Sequence, residues 1–250
     1  MAQSVKKMAG KSALVTGATS GIGKAVANLL QSQGANVALV SRKPAPIDSD
    51  SSGGHTISLA ADVADPKAVA SSVEEAWQAF DGIDYVVNAA GVGTPASLDD
   101  LTPAIWNREI GINLSGSFYV AREAGLRMRQ RGSGSIVLVG SELSMIGLEN
   151  LVHYCASKAG VLGVTKAMAK ELAPTVRVNC VCPGPVDTPM MEQELLWFGG
   201  TDEVRQAAVD RVPLKRIGTP EEIAEFIAFV LDAKFATGSI LSIDGGTTAI

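Results

Sequence analysis

Only two histidines and three cysteines occur in the 250 residues. His55 lies in a Gly/Ser-rich stretch and His153 almost a hundred residues further on, so neither has a partner at the spacing a metal site needs. Cys155, Cys180 and Cys182 are odd in number, and Cys180-Val181-Cys182 lacks the two-residue spacer of redox and zinc motifs. Free thiols of a cytoplasmic protein, with no metal, are the expectation. Basic residues are in deficit, 21 against 26 acidic ones, and the formal charge of −5 gives no electrostatic reason to expect nucleic-acid binding. No run reaches the ~20 apolar residues of a membrane span. The stretch Met1–Gly10 carries Lys6 and Lys7 without an apolar segment behind them, which reads as a frayed tail rather than a secretory signal.

What the chain does have is aliphatic material, with 46% apolar and 19% charged residues, enough for a buried core in a single domain over residues 1–250. Short runs rich in Val, Ile and Leu read as strands at Ala13–Thr16, Val37–Val40, Thr56–Leu59, Tyr85–Val87, Ile136–Val139, Val176–Asn179 and Ile240–Ile243. Helical patterns lie between most of them, at Gly23–Gln33, Lys67–Phe80, Pro103–Gln130, Val152–Leu172 and Pro220–Leu231. Such alternation builds an α/β protein with a parallel sheet covered on both faces. One connection breaks the rhythm. After Val40, Pro44, Pro46 and the run Asp48–Gly54 argue for a loop or single turn in place of a crossover helix.

The first strand runs into Gly17-Ala18-Thr19-Ser20-Gly21-Ile22-Gly23, where a helix starts. Glycines at such a turn let the backbone approach a pyrophosphate, and the helix N-terminus offers N–H donors and positive potential. A tight turn needs glycines for its own sake as well, so the turn alone does not decide the matter. Its spacing, Thr-Gly-x-x-x-Gly-x-Gly, differs from the longer Gly-x-Gly-x-x-Gly fingerprint. At the end of the second strand an acidic residue would select NAD through the adenosine ribose. Here Ser41 is followed by Arg42, which removes the repelling carboxylate and supplies a guanidinium for a 2′-phosphate, with Lys43 beside it. NADP(H) is favoured over NAD(H); the alternative is a merely solvated arginine. Asp62-Val63 follows the third strand, where a carboxylate suits the adenine amino group. Asn88-Ala89-Ala90-Gly91 follows the fourth, its small residues leaving room for a ribose.

Tyr154 and Lys158 stand four apart in a helical stretch and so share a face, while Ser141 lies just past the fifth strand at the carboxyl end of the sheet. Carbonyl reduction by hydride leaves an alkoxide that needs a proton, and alcohol oxidation needs that proton removed. A free phenol, with a pKa near ~10, is almost wholly protonated at neutral pH, and a nearby ammonium favours its phenolate. A serine hydroxyl can orient the substrate oxygen. Taken singly, a helical Tyr/Lys pair is more often surface decoration.

Together these segments resemble the short-chain dehydrogenase/reductase family in its common single-domain branch. Thr16–Gly23 looks like the family's cofactor turn. Asn88-Ala89-Ala90-Gly91 looks like its Asn-Asn-Ala-Gly motif with Ala89 for the second Asn. Ser141 with Tyr154-Cys155-Ala156-Ser157-Lys158 matches its catalytic signature. The resemblance implies a three-layer α/β/α, Rossmann-type doubly wound parallel sheet of about seven strands, in a homotetramer or homodimer. It assigns catalysis to Asn113, Ser141, Tyr154 and Lys158, with Asn113 holding a water in the proton relay to Lys158. Lys158 also donates to the nicotinamide ribose. Pro183-Gly184-Pro185-Val186-Asp187-Thr188 resembles the segment that meets the nicotinamide carboxamide, through Val186 and Thr188. Two departures bear on the cofactor: the proline-bearing segment after Arg42, and Ser20 where some NADP-preferring relatives carry a basic residue.

After Thr188, residues 189–210 correspond to the family's substrate lid, with Gly199-Gly200 as a candidate hinge. Met190, Met191 and Leu195, with Leu143, Met145 and Ile146, suggest an apolar pocket for a small uncharged ketone or secondary alcohol, unless they pack on the core or a subunit interface. Two further readings stay open. Arg127, Arg129 and Arg131 could dock an acyl carrier protein for a 3-oxoacyl-thioester reductase, or simply solvate a helix end. A non-catalytic NADP(H)-binding protein on the same fold is the other, although it would not need all four catalytic residues.

Overall fold

The computed structural model describes residues 7–47 and 54–249. Seven parallel strands form one sheet in the order β3-β2-β1-β4-β5-β6-β7. They are β1 (Ser12–Thr16), β2 (Asn36–Ser41), β3 (Thr56–Ala60), β4 (Tyr85–Asn88), β5 (Gly134–Val139), β6 (Val176–Pro183) and β7 (Ile240–Ile243). The order reverses between β1 and β4, where Thr16 pairs with Asn88, and that reversal opens a crevice at the carboxyl ends of the strands.

Side chains alternate across the sheet as the period of two requires. Ala13, Val15, Val37, Val137 and Val181 face a core closed by α1 (Gly21–Ser32) and α8 (Pro220–Asp232). Leu14, Ala38, Val86, Ile136 and Val178 face the other, closed by α2 (Pro66–Phe80), α4 (Gly116–Arg131) and α5 (Val152–Leu172). The result is a three-layer α/β/α Rossmann-type fold. The helix starts carry their own signals: Asp65 caps α2, Thr219 and Glu222 form a reciprocal capping box on α8, and each helix has a proline in its first turn.

Two local features differ from the sequence reading. The pattern over Pro103–Gln130 is broken into α3 (Pro103–Ile110), a π-helical turn (Gly111–Ser115) and α4, because the backbone widens around Asn113. The end of the tail is anchored through Met8, which is buried and whose N–H donates to the Gln33 carbonyl at 3.0 Å, so the expected fraying does not extend to Gly10. Residues 1–6 lie outside the described part. So does 48–53 of the expected loop after β2, whose described flank, 42–47, contains no helix. The stretch 189–210 folds into α6 (Pro189–Trp197) and α7 (Asp202–Asp210), joined through Gly199 and Gly200, both at positive φ.

Candidate active site

Two adjoining cavities occupy the crevice, sharing Ile22, Ala89, Gly91, Thr188 and Met190 as a common wall. One is lined by the β1–α1 turn and by the ends of β2, β3 and β4; the other by the ends of β5 and β6, the start of α5, α6 and the end of α7.

The first cavity is built around close backbone approach. A Cβ on Gly17 would come within 2.9 Å of the Ala89 main chain, and one on Gly23 within 2.3 Å of the Gly17 carbonyl oxygen. Only glycine lets the turn fold onto itself and onto β4. Ser20 stands at the N-cap of α1 but makes no side-chain cap, so the first N–H groups of the helix stay available at the cavity wall. Gly17, Thr19, Ser20, Gly21, Ile22, Gly23, Ser41, Arg42, Asp62, Val63, Ala89 and Gly91 all line it. A dinucleotide's pyrophosphate fits such a cradle: glycine backbone, an uncapped helix N-terminus, and one exposed guanidinium at the far end. Asn88 does not line it. It is buried, accepting a hydrogen bond from Thr16 Oγ1 at 2.6 Å and donating to Ser117 Oγ at 2.9 Å, so it ties β1 to β4 and α4 beneath the crevice. Part of Asp62 is also engaged locally, its Oδ1 accepting from Ala64 N at 3.0 Å.

In the second cavity Ser141, Tyr154 and Lys158 converge. Ser141 follows the end of β5 by two residues and caps a short 3₁₀ turn (Glu142–Ser144), its Oγ accepting from Leu143 N at 3.1 Å. The same hydroxyl is the polar neighbour that acts to draw the Tyr154 pKa down. Gly93 packs on the Tyr154 ring, where a Cβ would come within 3.2 Å of Cδ2 and Cε2. Lys158 Nζ donates to the Val139 carbonyl at 2.8 Å and lies 5.7 Å from the Tyr154 ring centroid. Burial lowers the Lys158 pKa. It raises that of Tyr154, the Ser141 hydroxyl opposes the rise, and the carboxylates of Glu194, Glu109 and Glu142 add to it. The expected phenolate support from Lys158 is therefore not what governs the phenol in this arrangement.

Asn113 explains the π-helical turn. Its Nδ2 donates to the Val92 carbonyl at 2.8 Å and to Ser157 Oγ at 3.1 Å, and its Oδ1 accepts from Val92 N at 2.9 Å. Fully buried, it clamps the segment after β4 to α5 next to Lys158. A regular helix would turn this amide elsewhere.

Pro183, Gly184, Val186 and Thr188 pass between the cavities. Thr188 caps α6 through Met191 N and packs on Gly21, linking the two halves of the crevice. Of the expected substrate contacts, Leu143, Met190 and Met191 line the cavity, whereas Leu195 is buried beside it and Met145 is exposed. Sequence reasoning missed Glu142, Glu194 and Arg211, which line it too. It also missed Glu109, buried one helical turn before Asn113, with Oε2 3.5 Å from His153 Nε2; burial pushes its pKa up to about 7. The three candidate docking arginines sit on the C-terminal half of α4. Arg127 pairs with Glu74 at 2.8 Å, and Arg131 with Asp84 at 3.3 Å, near the amino ends of β1 and β4 and away from the crevice. Among the described residues there is no cluster of three metal-type side chains, and no helix is long and apolar enough to cross a membrane.

Residues 17–248 match a family model described as enoyl-(acyl carrier protein) reductase. The chain is similar to 2-(S)-hydroxypropyl-CoM dehydrogenase 3 of Xanthobacter autotrophicus, 34% identical over 94% of this chain and 96% of that one. It is 37% identical to the 3-oxoacyl-[acyl-carrier-protein] reductase of Thermotoga maritima, over 96% and 98% of the two chains. Its fold superimposes on the ligand-free aldohexose dehydrogenase of Thermoplasma acidophilum with a TM-score of 0.87 at 30% identity, covering 99% of this chain and 97% of that one. A doubly wound sheet with a nicotinamide-type crevice defines an oxidoreductase class. Within it, this chain belongs to the short-chain dehydrogenase/reductase family.

Proposed function

We propose that the protein interconverts a small-molecule ketone and a secondary alcohol with NADP(H), Tyr154 acting as general acid and base. The observation that carries the reading is the convergence of Ser141, Tyr154 and Lys158 on one cavity that adjoins, through a shared wall, the cavity lined by the glycine turn. The nicotinamide, when bound, supplies or accepts the hydride. The chain's own groups handle the oxygen. Ser141 donates to the substrate oxygen, and Tyr154 gives it a proton in reduction or takes one in oxidation. Burial keeps the phenol protonated, which suits the acid role. Lys158 places a cation at the end of β5, beside the position expected for the nicotinamide ribose, and Asn113 holds the surrounding backbone for a relay that refills the tyrosine.

Arg42 supports the choice of NADP(H). It is exposed at the cavity rim next to Ser41, whose Oγ donates to the Lys43 carbonyl and which stands where an acidic residue would select NAD. Leu143, Leu148, Leu151, Met190 and Met191 give the substrate cavity apolar walls. Homotetramer assembly in the cytoplasm completes the reading; exposed Phe118 on α4 and Phe229 on α8 supply apolar area for subunit contacts. A panel of ketones and secondary alcohols assayed with NADPH/NADP and NADH/NAD in parallel tests the proposal. Turnover with NADPH exceeding that with NADH is expected, and equal or better use of NADH overturns the cofactor assignment. Preference for acetoacetyl thioesters over free ketones by orders of magnitude would favour the carrier-protein reductase instead.

A further inference from the structure

Three charged side chains line the substrate cavity and take no part in the proton transfer. Glu142 follows Ser141 directly, Glu194 comes from α6 and Arg211 from the end of α7. Glu142 is 3% exposed. Its Oε1 lies 3.7 Å from Arg211 Nη2, too far for a good hydrogen bond, and its Oε2 is buried with no hydrogen-bond partner. The other groups acting on it are Thr247, whose hydroxyl opposes the rise in its pKa, and the carboxyl of Asp244, both from the segment after β7. Three carboxyl groups thus confront one half-exposed guanidinium. Burial pushes the Glu142 pKa up to about 7 and raises that of Glu194, with Arg211 opposing the shift in both.

A buried carboxylate oxygen without a donor is an unmet demand, and such groups in native proteins call for an explanation. A cavity with apolar walls and a small number of convergent acceptors is the usual form of a site that reads one polar group on an otherwise apolar ligand. Arg211 does not turn the site toward anions, because a substrate carboxylate would have to displace the resident carboxyls that already surround it. We propose that Glu142 and Glu194 recognise a hydrogen-bond donor, a hydroxyl or an ammonium, carried by the substrate away from its reacting carbon, and that they reject a carboxylate there. This deepens the ketone/alcohol reading above and rests on it for the identity of the reacting group.

The test uses secondary alcohols of one chain length that end in methyl, hydroxyl, ammonium or carboxylate. Turnover is measured with the wild-type enzyme and NADP. Binding is measured by calorimetry on the NADP-loaded Tyr154→Phe variant, which separates recognition from chemistry. A donor-bearing compound should exceed the methyl one by about tenfold in kcat/KM and in affinity, with the carboxylate poorest. In Glu142→Leu the ratio of donor-bearing to methyl compound should fall to about one; Glu142→Met, unbranched and without an acceptor oxygen, is the check should the leucine variant fail to fold. Loss of the ammonium preference in Glu142→Gln and Glu194→Gln with the hydroxyl preference kept identifies a cation as the natural group, and the reverse a hydroxyl. Preference for methyl or carboxylate, no discrimination, no binding of either donor-bearing compound, or a donor preference that survives Glu142→Leu (or Glu142→Met, if that is the variant that folds) overturns the inference. Donor-selective binding without turnover of any compound overturns the ketone/alcohol reading and leaves this one standing.

Discussion

Lys158 holds the carbonyl of Val139 at 2.8 Å, a bond from the middle of one catalytic element to the end of the strand that delivers Ser141. The ammonium is thereby held beside Gly91, on the wall the two cavities share, 5.7 Å from the centroid of the Tyr154 ring. Tyr154 remains a phenol in this arrangement, raised by burial and by the carboxylates of Glu194, Glu109 and Glu142.

The two reaction directions should therefore respond differently to pH. Oxidation needs Tyr154 deprotonated, so kcat/KM for the alcohol should rise through the alkaline range, whereas reduction should stay flat there. Glu194→Gln removes the largest of the charge effects that raise the phenol, and should move the alkaline limb of alcohol oxidation toward lower pH. Initial rates measured across the pH range in both directions check this. A limb that moves upward in the variant, or an oxidation rate indifferent to alkali, speaks against a phenol governed by these neighbours.

Cofactor choice should rest on Arg42. Removing its guanidinium in Arg42→Ala should lower kcat/KM for NADPH by about ten- to a hundredfold, the scale of a charge-assisted contact, and leave that for NADH nearly unchanged. Parallel decline with both cofactors would mean that the arginine supports the fold of the β2 end and does not read a phosphate.

Stability should fall between mildly acidic and neutral pH. Glu109 has an ordinary pKa of 4.5 and one of about 7 in the fold. Between those values the folded chain keeps a proton that the unfolded chain has released, so stability drops as pH rises through the window and levels off above it. The span corresponds to roughly 3 kcal/mol at most. Glu142, also at about 7, acts in the same sense. Thermal melts across this window should show a smaller decline in Glu109→Gln than in the wild type, with the variant the more stable of the two at neutral pH relative to acid. An unchanged slope would show that Glu109 is not the group titrating.

Much of the crevice was legible in the sequence because backbone demands leave local signatures. Gly17 and Gly23 are there because any side chain would strike the neighbouring main chain, and a strand followed by such a turn declares the nucleotide end. Tyr154 and Lys158 declare a shared helical face by their spacing alone. Asn113 was readable as functional only through the family likeness. The π-helical turn that aims it depends on hydrogen bonds to Val92 and Ser157, distant in sequence, and no periodicity encodes that. Glu109, Glu142 and Glu194 look like ordinary surface acids in the chain. The burial of Glu142 and Glu194 is decided by α6, α7 and the segment after β7 closing over the sheet's carboxyl edge, and that of Glu109 by α3 packing on α5 beside His153, tertiary outcomes that composition does not foreshadow. Asn88 illustrates the converse: its position in the motif suggested a ligand contact, while its amide is spent on Thr16 and Ser117.

The most direct test of the account is Tyr154→Phe, which removes one oxygen and keeps the ring against Gly93. Turnover in both directions should fall by about a hundred- to ten-thousandfold, the worth of a general acid–base, while NADPH binding followed by its fluorescence stays within about threefold of wild type. Wild-type turnover in that variant would contradict the assignment of the proton to Tyr154.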